Sequence, residues 1–210
     1  MATITRPQNA RSRRTRAALL DAARELIEHD GVERLTMAGV ADVAGVSRRA
    51  VYLHFASRAE LLTALYSHLG EVEQLRTSFQ AVWDCADGAS ALEEWAHHIA
   101  RAHPRILGVA RAIEIARHSD PEAAAWHDVT SRNWYASCTR LASWLERDDA
   151  LAGPWTTITA ADALWGLMSW DLLERLMTIR GWSSSEFGDR LAVMLLATFA
   201  RQGRPGPAAS

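Results

Sequence analysis

The side chains best suited to contact nucleic acid lie in one short stretch, GVSRRAVYLHF, which spans residues 45–55. An arginine can form two hydrogen bonds with O6 and N7 of guanine, and Arg48 and Arg49 stand side by side. Ser47 can cap a helix that begins here, and the amide groups of its first turn favour a phosphate. The small Ala50 lets that helix approach the bases closely. Taken alone, two adjacent arginines are typical of a solvated helix face.

The residues around this stretch predict the element that would position it. Between Thr36 and Phe55 a short helix, a turn at Gly45 and a second short helix form a helix-turn-helix pattern. Glycine suits the turn because it adopts positive φ without steric cost. Tyr52 and His54 lie on the second helix, and by themselves both are compatible with ordinary packing and surface positions. Three valines can lock the two helices together: Val40, Val46 and Val51.

Charge is distributed unevenly along the 210 residues, although the formal net charge is only -2. Residues 1–60 carry ten arginines and seven acidic residues, whereas the remainder carries 13 arginines and 18 acidic residues. The first 16 residues hold five of these arginines and no acid. Such a basic arm is compatible with a solvated tail, but beside a helix-turn-helix it favours contact with DNA. The five are Arg6, Arg11, Arg13, Arg14 and Arg16.

Hydrophobic periodicity and capping residues predict an all-α fold of about nine helices, because no alternating segment is long enough for a sheet. Three of them form the amino-terminal helix-turn-helix domain. The predicted helices span residues 12–29, 37–43, 48–55, 57–83, 90–102, 104–118, 121–147, 159–180 and 183–202.

Several classes of protein find no support in the sequence. No apolar run approaches the ~20 residues of a membrane-spanning helix, and the basic start lacks the apolar core of a signal peptide, so we expect a cytoplasmic protein. Cys85 and Cys138 form no ligand-spaced pair, and each is expected to be a small buried hydrophobic residue. The chain contains no phosphate-binding loop, nucleophile elbow or HExxH motif, so we expect neither an enzyme nor a cofactor.

The histidines near the middle of the chain could be mistaken for a metal site. His97, His98 and His103 lie close to two glutamates in sequence. Adjacent residues on a helix point to different faces, so His97 and His98 would not bind one ion together. We therefore expect no metal.

Residues 15–66 closely resemble the DNA-binding domain of TetR/AcrR-type transcriptional regulators. The resemblance lies in the stretch LTMAGVADVAGVSRRAVYLHFASRAELLTALY, preceded by RAALLDAARELIEHDG. Its turn glycine, Val-Ser, Tyr-x-x-Phe and Ser-x-x-x-Leu elements match in type and spacing. The resemblance implies that Arg48 and Arg49 occupy base-reading positions. It also implies that four residues occupy positions that commonly hold the DNA backbone: Thr36, Tyr52, His54 and Arg58.

The chain departs from the family pattern at a few of these positions. The family often has Gly-Thr where this chain has Arg49-Ala50, so the usual hydroxyl contact is lost and Arg49 either reads a base or holds a phosphate. Arg58 replaces a frequent lysine and conserves the charge. Ala38 and Gly39 stand where a polar contact is common, so the first helix of the motif is expected to contribute less to specificity.

We predict three regions: a DNA-binding domain with its basic arm over residues 1–56, an effector-binding and dimerisation domain over residues 57–203, and a disordered tail over residues 204–210. Every one of the nine tryptophans lies at or beyond Trp83, which is more aromatic surface than an ordinary helical core needs. Each tryptophan taken singly is compatible with a core role, but some are expected to line a ligand pocket. The pocket candidates are Phe79, Trp95, Ile99, Ile113, Trp134, Cys138, Trp165 and Ser169.

In the family that the chain resembles, the last two helices pair with those of a second copy, which implies a homodimer. A symmetric dimer matches a palindromic operator on double-stranded DNA. The apolar stripes predicted to form this interface contain Leu164, Met168, Leu172, Leu176, Leu191 and Leu195.

The sequence thus favours a dimeric transcriptional repressor that a small apolar or aromatic effector releases from its operator. One alternative shares the DNA-binding domain but activates transcription or senses no ligand. Another is a small helical binding or catalytic module with a vestigial helix-turn-helix, which the basic arm and the arginine pair disfavour.

Overall fold

The computed structural model describes residues 10–72 and 75–201, and within them it contains helices and no named strand. The predicted all-α fold is confirmed. A 3-10 turn spans Val32–Arg34, and a π-helical segment spans Glu174–Ile179. The α-helices are α1 (Ala10–Asp30), α2 (Met37–Val43), α3 (Arg48–His54), α4 (Arg58–Val72), α5 (Leu75–Trp83), α6 (Gly88–Ala116), α7 (Pro121–Arg147), α8 (Thr157–Leu167), α9 (Trp170–Leu173) and α10 (Ser184–Phe199).

The described residues divide into two compact units. The first comprises the described part of residues 1–74 together with Arg105–Ser131, and the second comprises Leu75–Pro104 together with the described part of residues 132–210. Helices α6 and α7 therefore each contribute residues to both units. The domain boundary expected after residue 56 remains a prediction about where the DNA-binding part ends.

In the first unit, α1 packs against α2 and α4 through a continuous apolar face. The helix ends at Gly31, whose φ of 84° lies in the left-handed region that favours glycine. The Gly31 amide donates to the carbonyl of Ile27 at 3.2 Å and so closes the last turn. This confirms the predicted helix stop. The buried face of α1 consists of Leu19, Leu20, Ala22, Ala23, Leu26 and Ile27.

In the second unit, the start of α6 lies directly against the end of α7. A Cβ atom at Gly88 would stand 2.8 Å from the backbone nitrogen of Leu145, so this approach requires glycine. The Gly88 amide donates to Oδ2 of Asp148 at 2.7 Å, which fixes the approach. The two helices therefore hold their side chains in a defined register.

Two predicted helix boundaries are wrong. A break was expected at Pro104, yet α6 continues through it, and the buried residues on either side, His103 and Ile106, show that packing supports the helix there. A single helix was expected over residues 159–180, but α8 ends at Leu167 and Ser169 caps α9 by accepting a hydrogen bond from the Leu172 amide. The predicted helix over residues 57–83 corresponds to α4 and α5, and its residues 73–74 lie outside the described residues.

No helix in the described part of the chain combines the length and apolar character needed to cross a membrane.

Candidate functional site

The helix-turn-helix is confirmed as α2, a turn and α3, and side-chain caps define both helix starts. The hydroxyl oxygen of Thr36 accepts from the Gly39 amide at 2.9 Å, and that of Ser47 accepts from the Ala50 amide at 3.2 Å. A hydroxyl that accepts in this way still carries a hydrogen that it can donate, for example to a phosphate oxygen. Both predicted contact residues thus stand at the surface as caps.

The turn between α2 and α3 depends on Gly45. Its φ of 65° lies in the left-handed region, and its amide donates to the Asp42 carbonyl at 3.3 Å. The Val46 amide then donates to the Ala41 carbonyl at 2.9 Å. Val51 is fully buried on α3 and fixes that helix against the motif's core. Backbone and core contacts together hold α3 in place without using its polar side chains.

The outward face of α3 presents the predicted base-reading residues to solvent. Arg48 and Arg49 are exposed, and the described residues provide no hydrogen bond or ion pair to either guanidinium. Tyr52 is 42% exposed, and Ala50 is half-buried. The structure therefore places two arginines and a phenol on one accessible helix, with a small residue between them.

His54, predicted to hold the DNA backbone, instead has a buried side chain. Burial, and then the positive charge of Arg16, lower the pKa of this imidazole. Arg16 donates to the His54 carbonyl at 2.9 Å and stacks on the ring of Phe55 with its guanidinium carbon 4.3 Å from the ring centre. Arg16, one of the arginines of the predicted basic arm, thus joins α1 to the end of α3.

The remaining arginines of the basic arm differ in what the structure shows of them. Arg11, Arg13 and Arg14 lie on the first turns of α1 with exposed side chains. Arg6 lies outside the described residues. The described arginines thus extend the positive charge of the first unit along α1.

Arg58 is engaged inside the protein. Its guanidinium contacts Asp120 at 2.7 Å and Glu122 at 3.1 Å, and it donates to the carbonyl oxygens of Val32 and Leu35 at 2.8 Å each. Burial opposes its charge, but the hydrogen bonds and charges of the two acids outweigh burial and raise the pKa of Arg58. Its role as a contact to the DNA backbone remains a prediction.

Three of the predicted pocket residues meet in the second unit, within a larger group that we call the aromatic cluster. Neighbouring ring centres in it are 4.6 to 6.5 Å apart. Phe79, Trp95 and Trp134 were predicted, whereas the other four members were not assigned to a pocket. The cluster consists of Phe79, Trp83, Trp95, His98, His103, Trp134 and Trp170.

Polar atoms of the aromatic cluster are buried among its rings. The indole nitrogens of Trp83 and Trp95 have no hydrogen-bond partner among the described residues. Burial, and then the charge of Arg101, lower the pKa of His98 to about 4, and burial followed by the influence of His98 lowers the pKa of His103 to about 3. Both imidazoles are consequently uncharged at neutral pH.

A cation already lies against one ring of the cluster. The guanidinium carbon of Arg140 lies 3.9 Å from the ring centre of Trp83, which is a cation–π contact. Trp83 and Phe79 also meet edge to face at 5.5 Å. The Trp83 ring is therefore held from two directions.

The other predicted pocket residues lie elsewhere. Ile99 and Cys138 are buried in the second unit, and burial raises the pKa of the Cys138 thiol to about 12, so this thiol stays protonated. Ile113 is buried in the first unit. Trp165 is 44% exposed and Ser169 is exposed as the cap of α9. The set of pocket residues predicted from the sequence thus contains core residues, surface residues and members of the aromatic cluster.

The residues predicted at a dimer interface also separate by environment. Leu164, Leu191 and Leu195 are buried within their own unit, whereas Met168, Leu172 and Leu176 are half-buried. Four other apolar side chains, on α8 and α10, face solvent. These are Ile158, Trp165, Val193 and Met194.

Among the described residues, no three acidic, histidine or cysteine side chains lie close enough together to hold a metal ion.

Comparison with known proteins matches residues 19–65 to the family model described as "Bacterial regulatory proteins, tetR family". The transcriptional regulator TtgR of Pseudomonas putida is 40% identical over 68 residues, which is 32% of this chain and 32% of TtgR. The transcriptional regulator AcrR of Shigella flexneri is 30% identical over 100 residues, which is 46% of this chain and 45% of AcrR. The chain thus matches about a third to a half of the length of these relatives.

Solved structures extend the likeness in fold to most of the chain. NalD, the secondary repressor of the MexAB-OprM multidrug efflux pump in Pseudomonas aeruginosa, is similar with a TM-score of 0.70 at 22% identity, over 93% of this chain and all of the NalD chain. The fatty acid degradation regulator FadR of Bacillus halodurans has a TM-score of 0.70 at 15% identity, over 91% of this chain and 97% of that chain. At these identities the likeness concerns the fold alone.

Proposed function

Because residues 19–65 match the model of the TetR family of bacterial regulatory proteins, we propose that the chain is a transcriptional regulator of this type that binds operator DNA as a homodimer and represses transcription. One observation carries the proposal: the helix-turn-helix is held by its own caps and core, and it leaves Arg48 and Arg49 exposed at the start of α3. Exposed arginines on a firmly positioned helix suit readout of guanine edges in the major groove.

The direction of control is proposed by analogy with one structural relative. NalD, which shares the fold, is a repressor. A regulator of this fold that blocks a promoter needs only to occupy DNA, whereas activation needs an additional contact with the transcription machinery. Activation, or regulation without a ligand, remains the alternative.

The proposed dimer uses the exposed apolar side chains of α8 and α10. Val193 and Met194 on α10 are 65% and 47% exposed, and Ile158 and Trp165 lie exposed on α8. Covering such side chains with a second copy removes apolar surface from water. Since Leu164 and Leu191 are buried in their own unit, they support these helices from behind rather than contact a partner.

The proposed effector binds at the aromatic cluster and is flat and uncharged. Indole rings offer large apolar faces for stacking, the two imidazoles are uncharged, and the guanidinium of Arg140 already lies on the face of Trp83. The unpartnered indole N–H groups of Trp83 and Trp95 can each donate to an oxygen of a ligand. An aromatic compound with a carbonyl or ether oxygen satisfies both features.

Selection of bound fragments from genomic or random DNA by the purified full chain tests the DNA-binding proposal. We expect enrichment of an inverted repeat, with an affinity that falls steeply as salt rises because arginine contacts release counterions from phosphates. Mass measurement of the complex should give two chains per site. Recovery of fragments without a common sequence would contradict the proposal.

Ligand release tests the effector proposal with a matched pair of variants. We expect an aromatic compound that quenches tryptophan emission to weaken operator binding, and we expect Trp134→Ala to lose this response while it still binds the operator. Trp182→Ala is the control, because Trp182 lies outside the aromatic cluster and is not one of the α8 and α10 residues of the proposed dimer. If every quenching compound leaves operator affinity unchanged, the regulator is independent of ligand.

A further inference from the structure

Arg58 is the first residue of α4 and contacts two other segments of the first unit, residues 32–35 and residues 120–122. Its Nε donates to the carbonyl oxygen of Leu35 and its Nη2 donates to that of Val32, each at 2.8 Å. Val32 begins the 3-10 turn, and Leu35 follows this turn directly before the cap of α2. The guanidinium therefore ties the start of α4 to the start of the helix-turn-helix.

The same guanidinium also holds the amino-terminal end of α7. Nη2 lies 2.7 Å from Oδ2 of Asp120, and Nη1 donates to Oε2 of Glu122 at 3.1 Å. The other carboxylate oxygen of Asp120 accepts from the amides of Glu122 and Ala123 at 3.0 and 3.2 Å, so Asp120 also caps α7. One carboxylate thus joins the backbone of α7 to Arg58. We call Arg58, Val32, Leu35, Asp120 and Glu122 the Arg58 junction.

The chemistry of these contacts leaves Arg58 poorly suited to bind a phosphate. A guanidinium has five N–H groups, and four of them are directed at acceptors of the junction. Arg58 and Asp120 expose only 19% and 18% of their side chains, so the pair is largely shielded from solvent. To reach DNA, the arginine would have to leave two carboxylates and two carbonyl oxygens.

We propose that Arg58 is a positioning residue that sets the helix-turn-helix against the start of α7, rather than a contact to the DNA backbone. A change at the first turn of α7 acts on the carbonyls before α2 through one guanidinium. This inference rests on the proposed function for its DNA readout.

Isosteric substitutions separate the two roles of Arg58. Asp120→Asn combined with Glu122→Gln removes both negative charges but keeps an oxygen that can cap α7. For a positioning role we expect this double variant to weaken operator binding about 2- to 30-fold, the range typical of residues that modulate coupling without contacting the ligand. If Arg58 holds a phosphate, removing two acids beside it leaves binding unchanged or strengthens it, and this result would overturn the proposal.

Salt dependence gives a second criterion. We expect Arg58→Met to weaken binding without changing the slope of log affinity against log salt, whereas loss of a phosphate contact lowers that slope by about 0.9. Combining Arg58→Met with the two acid substitutions should weaken binding no further than Arg58→Met alone, because all three changes break one junction. A lowered slope, or full additivity, contradicts a positioning role.

Hydrogen exchange of the DNA-free protein keeps the junction testable apart from DNA binding. We expect faster amide exchange over residues 32–40 in the double acid variant, because Arg58 loses the two acids that hold its guanidinium against the carbonyls before α2. Glu25→Gln is the control, since Glu25 is exposed on α1 and has no partner among the described residues. If the parent protein binds no DNA, the proposed function is wrong, but hydrogen exchange still tests whether Arg58 positions the helix-turn-helix. Unchanged exchange rates in the double acid variant would overturn the positioning role.

Discussion

The two units hold the side chains that we propose to bind DNA and effector in opposite environments. On α3, Arg48, Arg49 and Tyr52 face solvent, while the side-chain cap of Ser47 and buried valines hold the helix. In the aromatic cluster, Trp95 and His103 are buried and form part of the core themselves. A polyanion has to be met at the surface, whereas a small uncharged ligand is bound best where water is excluded. Substitutions on α3 are therefore expected to change DNA binding without changing stability, whereas substitutions in the aromatic cluster are expected to change both effector binding and stability.

The largest expected effect follows from the double role of the cluster. Trp95 is completely buried and contacts Phe79, Trp83, His98 and Trp134, so Trp95→Ala should lower the free energy of unfolding by about 3 to 5 kcal/mol. Urea denaturation followed by circular dichroism measures this change.

Trp182→Ala is the matched control for Trp95→Ala. Trp182 is only half-buried and lies in the loop before α10, so its removal leaves a smaller cavity and should cost about 1 kcal/mol. Equal losses in the two variants would show that the cluster is not part of the core, and the contrast between the units would disappear.

The buried imidazoles predict a dependence of stability on pH. Since the pKa values of His98 and His103 are about 4 and about 3 in the folded chain but 6.5 without burial, the unfolded chain takes up protons first as the pH falls. Stability is therefore complete above pH 6.5 and falls below it, by about 2 kcal/mol per histidine at pH 5. Urea denaturation at pH 7 and pH 5 measures the loss.

A neutral replacement assigns this loss to the cluster. His103→Asn should reduce the difference between the two pH values by about 2 kcal/mol, whereas His118→Gln should not alter it because His118 is exposed. A parent whose unfolding free energy is the same at both pH values would show that the two imidazoles are accessible to protons in the folded state.

On the DNA-binding surface we expect a loss of affinity without a loss of stability. Arg48→Ala and Arg49→Ala should each weaken operator binding by about 1 to 3 kcal/mol, because a bidentate base contact contributes that much. Binding is measured on the selected operator and on unrelated DNA, and unfolding is measured in parallel.

Arg132→Ala serves as the control for the arginine variants, since Arg132 is an exposed arginine of the second unit. It should bind the operator like the parent. If Arg48→Ala or Arg49→Ala weakens binding to all DNA equally, that arginine holds a phosphate rather than a base.

The sequence predicts the helix-turn-helix well because its determinants are local. Thr36, Gly45 and Ser47 act on residues within four positions of themselves, and the structure confirms both caps and the turn. The break before α9 had a local signal as well, since Ser169 precedes the helix as a cap. The helix break predicted at Pro104 is wrong because contacts between residues distant in sequence stabilise α6 in addition to its local backbone.

The aromatic cluster was only partly predicted because four helices assemble it. Composition indicated that tryptophans would line a site, and three of the pocket candidates, Phe79, Trp95 and Trp134, do lie in the cluster. Nothing in the local pattern places Trp170 of α9 beside His103 of α6, with 4.6 Å between ring centres. The partners of Arg58 were missed for the same reason, since Glu122 lies 64 residues away along the chain.

The smallest expected effect distinguishes orientation on DNA from readout of its sequence. Tyr52 is 42% exposed on α3, and the position implied for it is a contact to the DNA backbone through its hydroxyl group. Tyr52→Phe should weaken binding by about 0.5 to 1.5 kcal/mol, the usual contribution of one neutral hydrogen bond. Because a phosphate carries no sequence information, operator and unrelated DNA should lose equal affinity. The phenol is uncharged and releases no counterion, so the salt slope should stay that of the parent. Tyr135→Phe, at 37% exposure in the second unit, should leave both affinities unchanged. A loss confined to the operator would make Tyr52 a base-reading residue, and no loss at all would remove it from the interface and leave the arginine pair as the contact that α3 makes.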